Sequence, residues 1–152
     1  MDIIIRNARI SDKESLKDVA VKDGKIIKIE ENIAEKASEE IDADGRVLIP
    51  GLVESHIHMD KALIADRLPN RSGTLAEAIK VTAELKPTFT KEDVEERATK
   101  VLMMLIQHGI THIRTHSEFD PSQGFTGFET ILKLKEKFKN VVDIQVVAFP
   151  QE

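Results

Sequence analysis

The pattern of apolar and polar positions changes near Pro50, and the sequence predicts a different architecture on either side of it. Before Pro50, short apolar runs are separated by turn residues. The pairs Asp23-Gly24 and Asp44-Gly45 predict tight turns, because glycine tolerates the positive φ that such turns require. The predicted strand segments are residues 3–5, 18–21, 25–29, 41–42 and 46–49. This first part is therefore predicted to be a small β unit, which needs a surface to pack on.

Beyond Pro50, segments with helical spacing of apolar residues alternate with nearly continuous apolar runs. Thr74 and Thr90 are predicted to cap two helices, since their hydroxyls can accept backbone hydrogen bonds, and Gly109 is predicted to end the second. A third helix is predicted over 126–139, and strands are predicted to end near 58 and to span 110–117 and 141–149. The order β-α-α-β-α-β with apolar strands is typical of a parallel sheet covered by helices.

Composition narrows the function classes. The 152 residues carry a net charge of −5 and no basic stripe, which argues against nucleic acid as a partner. Cysteine is absent, so disulfides and thiolate metal sites are excluded, and histidine, aspartate and glutamate remain as strong metal ligands. No apolar run approaches about 18 residues and the N-terminus does not resemble a signal peptide, so we expect a cytoplasmic protein without a membrane span.

The candidate chemistry lies in residues 48–61, which read L-I-P-G-L-V-E-S-H-I-H-M-D-K. Side chains alternate along a strand, so His56 and His58 are predicted to share one face, opposite Val53, Ser55 and Ile57. Two imidazoles side by side at a strand end can bind one divalent metal ion. The alternative is that both histidines make ordinary hydrogen bonds at the end of a half-buried strand.

Two further histidines, His116 and His108, occur at the ends of predicted elements. His116 falls at the C-terminal end of the second predicted strand, which is where the active sites of (β/α)₈ barrels lie. It is therefore a candidate to line the same site. His108 is expected to bind the last carbonyls of its helix.

Five stretches carry a family resemblance. The segment P-G-L-V-E-S-H-I-H-M-D resembles the first-strand signature of the amidohydrolase superfamily. More narrowly, the chain is similar to bacterial-type cytosine deaminases over essentially its whole length. The matching stretches are N-R-S-G-T-L-A-E-A-I, F-T-K-E-D-V-E-E-R-A, H-G-I-T-H-I-R-T-H and D-I-Q-V-V-A-F-P-Q-E.

The resemblance implies an α/β fold in which this chain is the N-terminal part of a (β/α)₈ TIM-type metal-dependent hydrolase barrel. Residues 1–50 would be the small β unit of a composite β-sandwich-like domain. Residues 51–152 would supply the first three β/α elements of an incomplete barrel, since a complete one needs about 250 residues.

The resemblance also implies roles for particular residues. His56 and His58 match two ligands of a catalytic divalent metal, iron(II) or zinc, and Gln151 matches a glutamine that hydrogen-bonds a pyrimidine ring. His116 and Asp60 fall near the site without a carried-over role. Lys61 departs from the threonine of the best-known cytosine deaminases, which leaves the substrate more open than the reaction class.

The implied reaction is hydrolysis of C–N bonds of cyclic amidines, with cytosine deaminated to uracil and ammonia by a metal-bound hydroxide. The implied partner is a small nucleobase-like molecule. The third ligand histidine, a metal-bound aspartate and a proton-shuttling glutamate would come from later strands. No catalytic residue is therefore assigned within this chain, and the 152 residues alone are expected to be inactive.

Several alternatives stay open. Related enzymes act on isoguanine or creatinine-like rings. The chain could instead be a non-catalytic truncated or split fragment that folds by self-association, giving homo-oligomers or strand-edge pairing, since a three-stranded parallel sheet leaves two edges unpaired. A binding module on a flavodoxin-like sheet is disfavoured, because neither the H-x-H sequence nor the leading β unit is expected there.

Overall fold

The computed structural model describes residues 1–150, and the chain divides after Pro50 into two compact units. Gln151, which the resemblance assigns to ring binding, lies outside the described residues. None of the helices within residues 1–150 has the length and hydropathy that crossing a membrane would require.

The first unit is a four-stranded sheet with a small core. Its strands are β1 (Ile3–Ala8), β2 (Lys17–Lys22), β3 (Lys25–Glu30) and β4 (Glu39–Asp42). They are arranged in the order β3-β2-β1-β4. The predicted turn at Asp23-Gly24 joins β2 to β3 in an antiparallel hairpin, and its two residues have φ values of 51° and 70°. The buried core consists of Ile4, Ala20 and Ile33.

The second predicted turn, Asp44-Gly45, also forms with positive φ at both residues, 51° and 73°. It does not reverse the chain, because β4 already runs parallel to β1 and Val47 beyond the turn makes a parallel bridge to Arg9. Residues 1–50 thus form one sheet, without the second layer that a complete sandwich would have.

The second unit alternates strands and helices in the predicted order. Its elements are β5 (Leu52–Ile57), α1 (Leu75–Leu85), α2 (Lys91–Gln107), β6 (Ile110–Phe119), α3 (Thr126–Phe138) and β7 (Asp143–Pro150). The three strands pair in parallel with β6 in the centre, which confirms the predicted parallel sheet. The sheet is open within residues 51–150, so this part of the chain does not close a barrel.

The helix starts follow from the capping residues. Thr90 accepts a hydrogen bond from the backbone N–H of Asp93 at 3.2 Å, and Thr74 accepts one from that of Glu77 at 3.3 Å. The reciprocal half of the capping box at α1 is absent, since the Glu77 carboxylate accepts hydrogen bonds from Ser72 instead. Both predicted caps are therefore confirmed, while the reciprocal bond is not.

Helices α2 and α3 cover one face of the parallel sheet. Their apolar stripes and the strand residues that face them bury a common core, which comprises Met59, Ala98, Val101, Leu102, Ile113, Ile131, Leu134, Val142 and Ile144. Gly109 ends α2 with a φ of 82°, where a side chain would be strained. The packed face fixes the strands, and exposed side chains such as Arg114 lie on the other face.

Candidate metal centre

The end of β5 carries the H-x-H sequence, and its pairing with β6 is irregular there. Glu54 pairs with Ile113 and Ile57 pairs with Thr115, so β5 contains one more residue than β6 between these two pairs. A β-bulge of this kind re-aims the side chains of the bulged strand. The extra residue falls in the segment that contains the first histidine.

The prediction that Val53 and Ser55 face away from the histidines is wrong. Both line the open face of the sheet together with Arg114. His116 follows Arg114 by two positions and so shares that face, and its ring stacks on His56. Simple alternation assumes a regular strand, which the bulge interrupts. The third residue of the predicted set, Ile57, does pack against the helix-covered core.

His56 and His58 turn their Nε2 atoms toward each other at 3.4 Å, with ring centroids 5.3 Å apart. This separation is longer than the range of about 2.7–3.2 Å that is usual for a hydrogen bond from a nitrogen donor. Two Nε2 ligands bound about 2.0–2.1 Å from a tetrahedral zinc ion would lie about 3.3 Å apart. The spacing of the two nitrogens therefore fits a shared divalent ion.

The environment of His58 favours the neutral ring. Burial, together with the nearby charges of Lys61, His56 and His116, lowers the pKa of His58 to about 4. The ring is consequently neutral at pH 7, and neutral imidazole is the form that binds metal. The Nδ1 atom of this ring is buried. If Nδ1 carries the proton, the lone pair of Nε2 faces His56.

His116 and Phe149 lie beside the histidine pair. The His116 ring stacks on His56 with centroids 4.2 Å apart and planes inclined by 26°, and it is 5.7 Å from His58. Phe149 is 5.6 Å from His58 and 6.1 Å from His116. No group of three or more His, Asp or Glu side chains that could hold a metal ion occurs within residues 1–150. These residues thus offer two candidate ligands and a lining histidine.

Asp60 is directed toward β6 and α3. Its Oδ2 accepts a hydrogen bond from the backbone N–H of Glu118 at 2.8 Å, and a Cβ added at Gly127 would lie 3.2 Å from the Asp60 Cβ. Burial raises the pKa of Asp60 to about 6. The side chain therefore anchors the turn that follows the histidines, a role that its position in the sequence did not reveal.

A buried network of charges stands next to the site: Lys61, Lys86, Glu118 and Asp120. One oxygen of Glu118 contacts Lys61, and the other lies 2.8 Å from Lys86, which is also 3.0 Å from Asp120. The side chains of Glu118, Asp120 and Lys86 are only 1%, 2% and 8% exposed. Sequence reasoning missed this network; its one signal was the pair of carboxylates, Glu118 and Asp120, that follows the second predicted strand.

Arg97 holds the same turn from the side of α2. Its guanidinium donates to the backbone carbonyl oxygens of Asp60 at 3.1 Å and Ala62 at 2.7 Å. It also donates two hydrogen bonds to Asp93 at 3.1 and 2.8 Å, and it lies 4.7 Å from the centre of the Phe89 ring. The buried Arg97 thereby links the first turn of α2 to the backbone just beyond the histidines.

Asp93 leads to a prediction about pH. Burial raises the pKa of Asp93, but hydrogen bonds from Arg67 and Arg97 outweigh this and lower it from 3.8 to about 2. The resulting stabilisation is fully present above about pH 4 and is lost as the pH falls to about 2. We expect Asp93→Asn to lower the free energy of unfolding by about 2 kcal/mol at pH 6 and by much less at pH 2.

Urea unfolding at a series of pH values would measure this difference. Val101→Ala is a suitable control, because it removes core contacts and no titratable group, so its cost should be the same at every pH. A cost of Asp93→Asn that also stays constant from pH 6 to pH 2 would contradict the prediction.

The other two histidines bind groups close to them in the chain. His108 Nδ1 is 2.6 Å from the backbone carbonyl oxygen of Met104, as expected for a histidine at a helix end. His112 Nδ1 is 2.9 Å from the hydroxyl of Thr111. Both are exposed and are useful controls for the pair in the site.

Residues 39–151 match the model of the amidohydrolase family. N-isopropylammelide isopropyl amidohydrolase of Pseudomonas sp. (strain ADP) is 37% identical over 155 residues, which cover 99% of this chain and 38% of that protein. The solved structure of 5-methylcytosine deaminase from Klebsiella pneumoniae, liganded with 5-fluorocytosine, has a TM-score of 0.86 at 37% identity and covers 98% of this chain and 37% of that one.

A second solved structure is similar over the same region. N-isopropylammelide isopropylaminohydrolase from Burkholderia multivorans has a TM-score of 0.82 at 25% identity, covering 99% of this chain and 38% of that one. The chain thus spans 37–38% of the length of these relatives.

Proposed function

The chain belongs to the amidohydrolase family, and on this premise we propose that it is part of a metal-dependent enzyme that removes an amino group from a cytosine-like ring. Hydrolysis of the exocyclic C–N bond would convert cytosine to uracil and ammonia. The observation that carries the proposal is the pair His56 and His58, whose Nε2 atoms are 3.4 Å apart at the C-terminal end of a parallel strand. Active sites of barrel enzymes are built at that end of the strands.

The residues of this chain would hold the ion and shape one wall of the site. A bound Zn²⁺ or Fe²⁺ would supply the Lewis acidity that lowers the pKa of water to about 7. His56 and His58 would bind it through Nε2. His116 and Phe149 would form an aromatic wall next to the ion, since their rings lie within 6.1 Å of each other. The remaining ligands and the proton-transferring carboxylate would come from outside residues 1–150.

The relatives favour an aminated heterocycle as the substrate. One is a 5-methylcytosine deaminase liganded with 5-fluorocytosine, and another is an N-isopropylammelide isopropyl amidohydrolase, each at 37% identity. We propose the cytosine-like substrate because the resemblance of the sequence is to cytosine deaminases, with Gln151 contacting the ring through its amide donor and acceptor. The equal identity makes hydrolysis of an N-isopropylammelide-like compound the second candidate.

Turnover by the protein expressed from its complete natural reading frame would test these candidates. The protein, loaded separately with Zn²⁺ and Fe²⁺, would be assayed for ammonia from cytosine and 5-methylcytosine and for isopropylamine from N-isopropylammelide. We expect ammonia from the cytosines. Isopropylamine alone would support the second candidate, and no amine from any compound at full metal occupancy would contradict both.

We further propose that the 152-residue chain by itself does not catalyse the hydrolysis of cytosine. A catalytic zinc needs about three protein ligands and an open position, whereas residues 1–150 contain no group of three such side chains. The measurement is ammonia release by the purified chain with cytosine and added Zn²⁺, with the His56→Ala/His58→Ala double variant as background. Release above that background would contradict the proposal.

We propose that a second copy of this chain is a partner and that the copies associate through the edges of the parallel sheet. Within residues 51–150, β5 and β7 each pair only with β6, and Leu52 and Val53 on β5 are 48% and 66% exposed. Such edges favour pairing with another chain. Light scattering at micromolar concentration should therefore detect oligomers, and a stable monomer would contradict this proposal.

A further inference from the structure

Glu118 connects the two segments that carry the clustered histidines. It lies two positions after His116, and its partner Lys61 lies three positions after His58. The side chain of Glu118 contacts Lys61, and its backbone N–H donates to Asp60 Oδ2 at 2.8 Å. Both the side chain and the main chain of one residue on β6 thus bind the turn that follows the histidine pair.

The β-ladder does not by itself determine where the end of β5 lies. The last pair of β5 with β6 is Ile57 with Thr115, and the pairing just before it is interrupted by the bulge. His58 lies beyond that last pair. The backbone N–H of Met59 donates to the Thr115 hydroxyl at 3.2 Å, and the next contacts along the chain are those of Asp60 with Glu118 and with Arg97. The position of His58 therefore depends on how the turn is held.

The charges around Glu118 determine how its side chain is oriented toward the turn. Its two oxygens each face a different ammonium group, Lys61 on one side and Lys86 at 2.8 Å on the other. Lys86 is shared with Asp120, so two lysines balance two carboxylates. Removing one partner of a buried ion pair is strongly destabilising, because it leaves a buried charge without compensation. Displacing the turn would separate Lys61 from Glu118 and leave a buried carboxylate with less compensation.

We propose that Glu118 is a positioning residue for the metal centre, because it fixes the turn Met59–Lys61 and thereby holds the histidine pair against His116. Lys61 is the partner of Glu118 within this turn. The effect on metal binding rests on the proposed function, whereas the arrangement of the imidazoles is a property of this chain alone.

Zinc affinity of the 152-residue chain provides the first measurement, by competition with a chelator at pH 7. We expect Glu118→Gln to weaken zinc binding about tenfold, the lower end of the range for residues that orient metal ligands. Glu95→Gln is the matched control, since Glu95 forms an exposed ion pair with Lys133 at 2.9 Å. Ile144→Val controls for lost stability, because it removes one methylene group from the same buried core.

Imidazole ¹H–¹⁵N spectra of the metal-free chain provide the second measurement. We expect the ring signals of His58 and His116 to shift in Glu118→Gln and to stay in place in Glu95→Gln and Ile144→Val. The double variant Lys61→Met/Glu118→Gln removes the unbalanced lysine, so it should recover stability without restoring the ring signals. Recovery of both would mean that Glu118 acts only on stability, and it would overturn the proposal.

The outcomes separate this proposal from the proposed function. A wild-type chain that binds no zinc would contradict the metal site, yet the metal-free spectra would still decide whether Glu118 positions the rings. Ring signals unchanged in Glu118→Gln would overturn the proposal. If Glu118→Gln does not fold, Lys61→Met replaces it, because that variant keeps the pair of Glu118 with Lys86, and we expect the same ring signals to shift.

Discussion

Replacing either His56 or His58 with alanine is expected to weaken zinc binding to the chain by more than a hundredfold. Removing an outer partner of a metal ligand costs about 10–100-fold in affinity, and removing a ligand itself should cost more. A third ligand that could replace the lost histidine is not available, because no group of three candidate ligand side chains occurs within residues 1–150. Chelator competition or calorimetric titration with Zn²⁺ at pH 7 would measure the loss.

Alanine variants of two other histidines serve as controls for the variants of His56 and His58. His108→Ala and His112→Ala each remove one imidazole from the same chain, but His108 binds a helix-end carbonyl and His112 binds a neighbouring hydroxyl. We expect both variants to retain wild-type zinc affinity within about twofold, as is usual for surface substitutions remote from a site. If His112→Ala weakened binding as much as His58→Ala, the bound ion would not lie between His56 and His58.

Local patterns explain why much of the fold could be predicted from the sequence. Helix caps, apolar stripes and Asp-Gly turns depend on residues within a few positions of each other, so Thr90 and Asp23-Gly24 indicated the start of α2 and the hairpin between β2 and β3. The H-x-H sequence is local as well. Its two rings do meet, with Nε2 atoms 3.4 Å apart.

Features that depend on contacts between distant parts of the chain could not be predicted in this way. The bulge in β5 exists only in relation to β6, and it turned Ser55 to the open face. Glu118 and Lys61 are 57 positions apart, so no spacing rule links them. The buried charges beside the site belong to the same class, because each lysine would be expected on the surface unless its partner is known.

Those buried charges lead to the second large effect: Lys86→Met is expected to lower the free energy of unfolding by about 3–5 kcal/mol, the cost of removing one partner of a buried ion pair. Lys86 lies 2.8 Å from Glu118 and 3.0 Å from Asp120. Both carboxylates are buried, and in the variant each of them would lose the positive charge of Lys86. Methionine keeps most of the length of the side chain, so lost packing contributes little. Urea unfolding of the 152-residue chain at pH 7 would measure the change.

Two further variants distinguish lost charge compensation from a general effect of removing a lysine. Lys133→Met breaks an exposed pair with Glu95 and should cost at most about 1 kcal/mol. Lys86→Met/Asp120→Asn removes one of the two uncompensated charges while keeping an oxygen that can accept from Ser122, so it should recover part of the loss. No recovery in that double variant would mean that Lys86 stabilises the fold by packing, because the charge argument requires that neutralising Asp120 relieve the cost.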